Sequence, residues 1–169
     1  GEVECAGGVA AGSGGGRHGQ AGVSGAGKEL RRDFQFVEVD DNCQASYLFS
    51  RRHTREILEH TGLAESQVMF TTHLLPVSRG ILSTIYVTLA SPQSAEAVEA
   101  LYRTFYAGRP MVRIWPAGTL PELQNVAHTT FADIGSVLDR GGRRLIVVFC
   151  LDHLGKCAAG TRASTFTHF

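Results

Sequence analysis

Two apolar runs do most to limit how this chain can fold. Ile81-Leu-Ser-Thr-Ile-Tyr-Val-Thr-Leu89 and Leu145-Ile-Val-Val-Phe149 are rich in β-branched and aromatic side chains, which suit a pleated surface better than a helix. Both fall well short of the roughly 18–20 apolar residues that a membrane helix needs. They are read as strands, the first buried on at least one face. The second run belongs to Arg143–Leu151, and Gly141-Gly142 ahead of it suits a hairpin turn. The expectation is therefore an antiparallel pairing of 143–151 with a strand at 131–138. Val68–Leu75 and Met111–Trp115 are read as further strands.

Helix signals fall between these strands. Ser94 is placed to cap a helix over 95–106, with Ala97, Val98, Leu101, Tyr102 and Phe105 as its apolar stripe and Gly108 as a left-handed stop. Thr54 is placed to cap a shorter helix over 55–61 that ends at Gly62. A glycine-punctuated turn, Gly155–Gly160, is expected to open another. The alternation predicts an α+β fold: a mixed, mostly antiparallel sheet with helices packed on one face. Residues 1–22 are mostly Gly, Ala and Ser. Glycine loses the most backbone entropy on ordering, and little apolar surface is present to offset that loss. This segment is expected to be disordered, 23–160 to form the domain, and 161–169 to be an irregular tail.

Composition narrows the function classes. The chain has 169 residues, enough for one domain with one core. Sixteen basic residues balance sixteen acidic ones, so no positive surplus points to a nucleic acid. No segment reads as a membrane span or a secretory signal, and because Gly1 is not Met the native N-terminus is expected upstream. Cys5, Cys43, Cys150 and Cys157 form no CxxC pair. Reduced thiols in a cytosol-like compartment are expected.

Candidate chemistry is sparse. His53 in Arg51-Arg-His-Thr54 and His73 in Thr71-Thr-His73 lie at element edges, where a neutral imidazole can act as a base or orient a carbonyl. The alternative for each is a partly buried histidine satisfied by backbone. No HxxxH or HxH spacing occurs, so no metal site is expected. Arg79 follows a Pro-Val-Ser turn and precedes Gly80. Such an arginine can fork onto a carboxylate or phosphate, or be structural. The loop Val23–Gly27 can offer backbone N–H groups to an anion. From residues alone the reading stops at an α+β domain with a candidate anion site.

Longer strings carry a resemblance. Phe70-Thr-Thr-His-Leu-Leu-Pro-Val-Ser-Arg79-Gly-Ile-Leu-Ser-Thr-Ile-Tyr-Val87 resembles a signature of the N-acetyl-gamma-glutamyl-phosphate reductases. In the same order as in that family lie Gly22-Val-Ser-Gly-Ala-Gly27, Arg52-His-Thr54 with Glu56-Ile57, Phe105-Tyr-Ala107, Val112-Arg113, Asp133-Ile-Gly135, and Asp152 through Lys156 to Gly160. The resemblance implies an NADP-dependent oxidoreductase of arginine biosynthesis, a semialdehyde dehydrogenase in the broad sense. Such enzymes reduce N-acetyl-glutamyl 5-phosphate to N-acetyl-glutamate 5-semialdehyde and release phosphate. A cysteine thiolate forms a thioester and a histidine manages protons. It further implies that this chain is the substrate-binding and dimerisation domain, a fragment lacking the nucleotide-binding half. By the same resemblance His53 is catalytic, and Ser24, Gly25, His73 and Arg79 bind substrate. Ala158, Ala159 and Gly160 meet the cofactor. A homo-oligomer, dimer or tetramer, is implied, with no nucleic-acid or membrane partner. So is a cytoplasmic location, or a plastid one in a plant or alga.

The sequence also departs from that family. Its Pro-Gly-Cys-Tyr-Pro-Thr type string is absent, and Cys5 stands in Glu-Cys-Ala-Gly instead. Arg51 replaces the first histidine of His-Arg-His, and an arginine cannot act as a base at working pH. Thr130 and His153 stand where asparagines are usual, and Thr161-Arg-Ala-Ser164 replaces the closing Gln-rich string. The chain alone is therefore expected to be inactive. The alternative reading is a non-catalytic dimerisation or interaction domain derived from the same family.

Overall fold

The computed structural model describes residues 15–22, 40–46, 55, 57–59 and 62–154, with side chains placed for all but 15–22 and 46. The expected hairpin organises it. β6 (Ala132–Leu138) and β7 (Arg144–Leu151) pair antiparallel, from Ala132 opposite Leu151 to Leu138 opposite Leu145. Asp139 closes the turn by accepting from the backbone N–H groups of Arg143 and Arg144, each at 2.9 Å. Gly142 takes φ +67°, and a Cβ there would lie 2.6 Å from the Gln93 carbonyl oxygen.

The other apolar run, β4 (Ile81–Thr88), lies antiparallel on the far side of β7, so the two runs are neighbours in the sheet. β3 (Val68–Leu75) does not pair with β4, although only a short turn separates them. β1 (Gly15–Gly22) lies between the two, parallel to β3 and antiparallel to β4. β2 (Gln44–Ser46) and β5 (Val112–Ile114) form the edges of a seven-stranded sheet ordered β2-β3-β1-β4-β7-β6-β5. Two of its six pairings are parallel and four antiparallel. The fold is thus α+β with a mixed, mostly antiparallel sheet.

β1 corrects the expectation that residues 1–22 are disordered throughout. The composition argument weighed glycine entropy only against apolar burial. An interior strand also satisfies its backbone groups on both sides, and that offset is invisible in composition. The sheet therefore includes residues ahead of Val23.

The helix α1 (Ala95–Phe105) starts as expected: the Ser94 hydroxyl accepts from the Ala97 N–H at 3.1 Å. It stops at Phe105 with Tyr106 as its C-cap at φ −96°, and the left-handed Gly108 (φ +78°) falls in the turn two residues beyond the cap instead of at it. Its buried stripe is narrower than expected. Val98 is buried, Tyr102 and Phe105 are half-buried, and Tyr106 just past the end is buried, whereas Ala97 and Leu101 face solvent. Leu101 is too far round the helix to reach the sheet. The stripe packs on Ile85, Ile134, Leu145 and Val147, each worth ~1.5–3 kcal/mol when fully buried. Residues 55 and 57–59 are helical, and Gly62, at φ +67°, donates to the Leu58 carbonyl as the predicted stop. No helix among the described residues is long and apolar enough to cross a membrane.

The face away from α1 is half covered. The connection from β5 to β6 folds back over it, burying Val126 against Val148 and Cys150, with Leu82 and Leu123 alongside. Beyond that cover, Met69, Tyr86 and Ile146 remain exposed.

Candidate functional site

One end of the sheet gathers the residues that sequence reading singled out. β1 and β3 finish there together, Gly22 opposite Leu75, while Ile81 begins β4 opposite Leu151 at the end of β7. Arg79 occupies the turn between β3 and β4. Gly80 beside it takes φ +109°, and a Cβ on it would lie 2.9 Å from Leu123 Cδ2. Leu123 could swing aside from a Cβ, so it is the φ of +109° that calls for glycine in this turn.

Arg79 meets Asp152, the first residue after β7. Its Nε lies 2.7 Å from Asp152 Oδ2, with that carboxylate fully buried and the Arg79 side chain 23% exposed. The Nε–H is not aligned on the oxygen, so the contact is an ion pair by proximity. Arg79 Nη1 lies 2.8 Å from His128 Nδ1. Guanidinium has no acceptor, so Nη1 donates and the ring nitrogen accepts. Asp152 Oδ2 also accepts from the His128 backbone N–H at 2.8 Å, and Oδ1 from the Leu154 N–H at 2.9 Å. His128 holds φ +63°, a left-handed conformation uncommon for a side-chain-bearing residue.

A second ion pair joins two more of the motif blocks. Arg113 grips Asp133 with both Nε (2.6 Å) and Nη2 (2.9 Å), and the Trp115 indole N–H adds a third donor at 3.1 Å. Asp133 is fully buried. Arg113 also donates to the Asn125 carbonyl and lies 4.4 Å from the Phe131 ring centroid. With its carboxylate fully engaged, this pair pins β5 and the covering connection to β6. An open hollow of about 360 Å³ between α1 and β5 is lined by Arg103, Tyr106 and Arg113. Its two arginines are held by Glu99 and Asp133.

Of the expected site residues, His73 and Arg79 lie among those described, whereas Ser24, Gly25, His53, Ala158, Ala159 and Gly160 lie outside them. His73 stands inside β3, opposite Gln20 on β1 and Ala45 on β2. No described hydrogen bond joins it to Arg79. Sequence reading missed His128 altogether, and it treated Asp152 only as part of a motif. Their partners are distant in the chain, and the one available signal was an acidic residue in a block shared with the family.

Cys150 is no nucleophile. Burial first, and then the negative charges of Asp133 and Glu122, together push its thiol up to about 12. The protonated sulfur lies 3.7 Å from the Pro121 carbonyl oxygen. Cys43, just before β2, is exposed.

Comparison with known proteins places this architecture. Residues 13–153 match a family profile described as the semialdehyde dehydrogenase dimerisation domain. The chain is 44% identical over 144 residues to the N-acetyl-gamma-glutamyl-phosphate reductase of Pelotomaculum thermopropionicum, which covers 83% of this chain and 42% of that one. Against the enzyme of the same name from Staphylococcus aureus identity is 38%, with the same coverage. The chain thus spans well under half the length of these relatives. Among solved structures it resembles aspartate semialdehyde dehydrogenase II of Vibrio cholerae. The TM-score is 0.65 at 15% identity, over 90% of this chain and 53% of that one. A probable aspartate-semialdehyde dehydrogenase from Pseudomonas aeruginosa gives 0.64 at 11%, over 91% and 55%. These two show a shared fold. With the match running through all seven strands, the chain belongs to the semialdehyde dehydrogenase dimerisation-domain family.

Proposed function

We propose that this chain is the substrate-binding and dimerisation portion of an N-acetyl-gamma-glutamyl-phosphate reductase of arginine biosynthesis. The observation that carries this reading is the identity of 38–44% over 143–145 residues to enzymes of that name. The pairing of its motif blocks in space supports it. Arg79 meets Asp152, and Arg113 meets Asp133. In the proposed reaction an acyl phosphate and NADPH with a proton give a semialdehyde, NADP and inorganic phosphate. NADPH supplies the hydride when bound. Among the described residues no Gly-rich strand-to-helix turn of the kind that seats a dinucleotide pyrophosphate occurs. By the same resemblance the cofactor is assigned to the part of the full-length relatives that this chain does not span, with Ala158, Ala159 and Gly160 approaching it.

Within that division the chain's own residues bind and orient the substrate. Arg79 takes an anionic group of the acyl phosphate, Ser24 and Gly25 offer loop donors, and His73 lies toward the same end of the sheet. His53 handles the proton. The nucleophilic thiolate is not supplied here. Assembly as a homo-oligomer, and a cytoplasmic or plastid location, belong to the same proposal.

Purified chain mixed with N-acetyl-glutamyl phosphate and NADPH should show no NADPH oxidation. It should nevertheless bind the unphosphorylated analogue N-acetyl-glutamate together with phosphate by calorimetry. Turnover would overturn the division of labour, and absence of any binding would overturn the substrate role.

A further inference from the structure

We propose that Asp152 and His128 are the positioning residues of an oxyanion site built on Arg79; this rests on reading Arg79 as a substrate ligand. The two occupy different parts of one guanidinium: Oδ2 of Asp152 lies against Nε, and Nδ1 of His128 accepts from Nη1. Among the described residues, nothing hydrogen-bonds to Nη2. Its two hydrogens and the second on Nη1 are left to meet a ligand's oxygens as a fork. The partly exposed side chain gives such a ligand access.

The carboxylate does more than neutralise the arginine. By accepting the His128 N–H it holds that residue in the left-handed conformation from which the ring reaches Nη1. By accepting the Leu154 N–H it ties the same point to the chain leaving β7. One buried side chain therefore sets Arg79, the connection before β6, and the start of the segment that runs toward residues 155–160.

Charge and position predict opposite outcomes, which makes the inference testable. Asp152→Asn removes a negative charge beside Arg79. If only local charge mattered, an anion would bind more tightly. If Asp152 positions the guanidinium, the anion binds more weakly despite the added positive charge. His128→Gly separates aim from folding, because glycine accepts φ +63° without strain and deletes only the ring.

The experiment titrates inorganic phosphate into the 169-residue chain and follows arginine Nε–Hε signals by NMR, with thermal melts on every variant. The wild-type chain should show a saturable shift at Arg79, abolished in Arg79→Lys, which keeps the charge but loses the fork. Asp152→Asn should bind roughly tenfold more weakly, and His128→Gly roughly threefold more weakly, the latter with its melting temperature unchanged or raised. Wild-type affinity or better in either folded variant overturns the positioning role. If Asp152→Asn does not fold, His128→Gly decides. No shift in the wild type, or undiminished binding by Arg79→Lys, overturns the reading of Arg79 itself, a failure separable from the first.

Discussion

Asp139 shows how one side chain can set the acid limit of a hairpin. Its carboxyl is pulled from 3.8 down to about 2, first by the Arg144 backbone N–H, then by the Arg144 side chain and the Arg143 N–H. The group is at the surface, so solvent screens much of the effect. The sign is still fixed. A carboxyl that is a stronger acid when folded contributes its stabilisation above the unfolded value near 3.8, and loses it as pH falls through about 2. Melting temperatures recorded from neutral pH downward should therefore fall across that window, and less steeply in Asp139→Asn, where nothing titrates at the turn. Parallel curves for the two proteins would mean that the turn does not govern the acid response. Asp133 is the buried counterpart. Three donors surround it, so its cost of burial is met by hydrogen bonds rather than by water.

At the scale of elements, the tightest approach is where the covering connection crosses β6. A Cβ on Gly135 would lie 2.5 Å from the Thr119 carbonyl oxygen and 2.7 Å from Pro121 Cδ. Backbone and a proline ring cannot give way as a flexible side chain can. Gly135→Ala should therefore cost ~1–3 kcal/mol by overpacking, read as a lower urea midpoint, and an unshifted midpoint would mean the connection is loosely seated. Most elements were legible before the structure was known. β4 and β7 carry dense apolar runs, β3 and β6 more dilute ones, and α1 announces itself with Ser94 and its apolar stripe. β1 was not legible, because Gly15–Gly22 lacks any alternation and gains its stability from two neighbours remote in sequence. The position of α1's stripe depended on where the sheet lay, which is why Leu101 was misplaced. The candidate site follows the same rule. Arg79 could be singled out from its turn, but His128, 49 residues away, has nothing local to mark it. Asp152 gains meaning only once β7 delivers it beneath Arg79.

At the scale of the molecule, the described residues leave part of the face opposite α1 exposed. Register aligns Met69, Gly16, Tyr86, Ile146 and Val137 in one row across β3, β1, β4, β7 and β6. Met69 is 62% exposed, Tyr86 49% and Ile146 36%. Four apolar side chains in one row, with Gly16 the gap on β1, are unusual for a surface meant for water, and the family profile is described as a dimerisation domain. A two-fold related copy would present the same row, so the face could be self-complementary, residue i meeting j and j meeting i. Ile146 lies inside the row, between Tyr86 and Val137, and is less exposed than Met69 or Tyr86, so a charge there is poorly placed to escape to solvent. Ile146→Arg should therefore abolish self-association while leaving the fold intact, because its side chain lies on the face that α1 does not touch. Sedimentation equilibrium at micromolar concentration should give a dimer mass for the wild-type chain and a monomer mass for the variant, with matching circular dichroism. A wild-type monomer would remove this face from the assembly, and a variant that stays dimeric would move the contact to another surface.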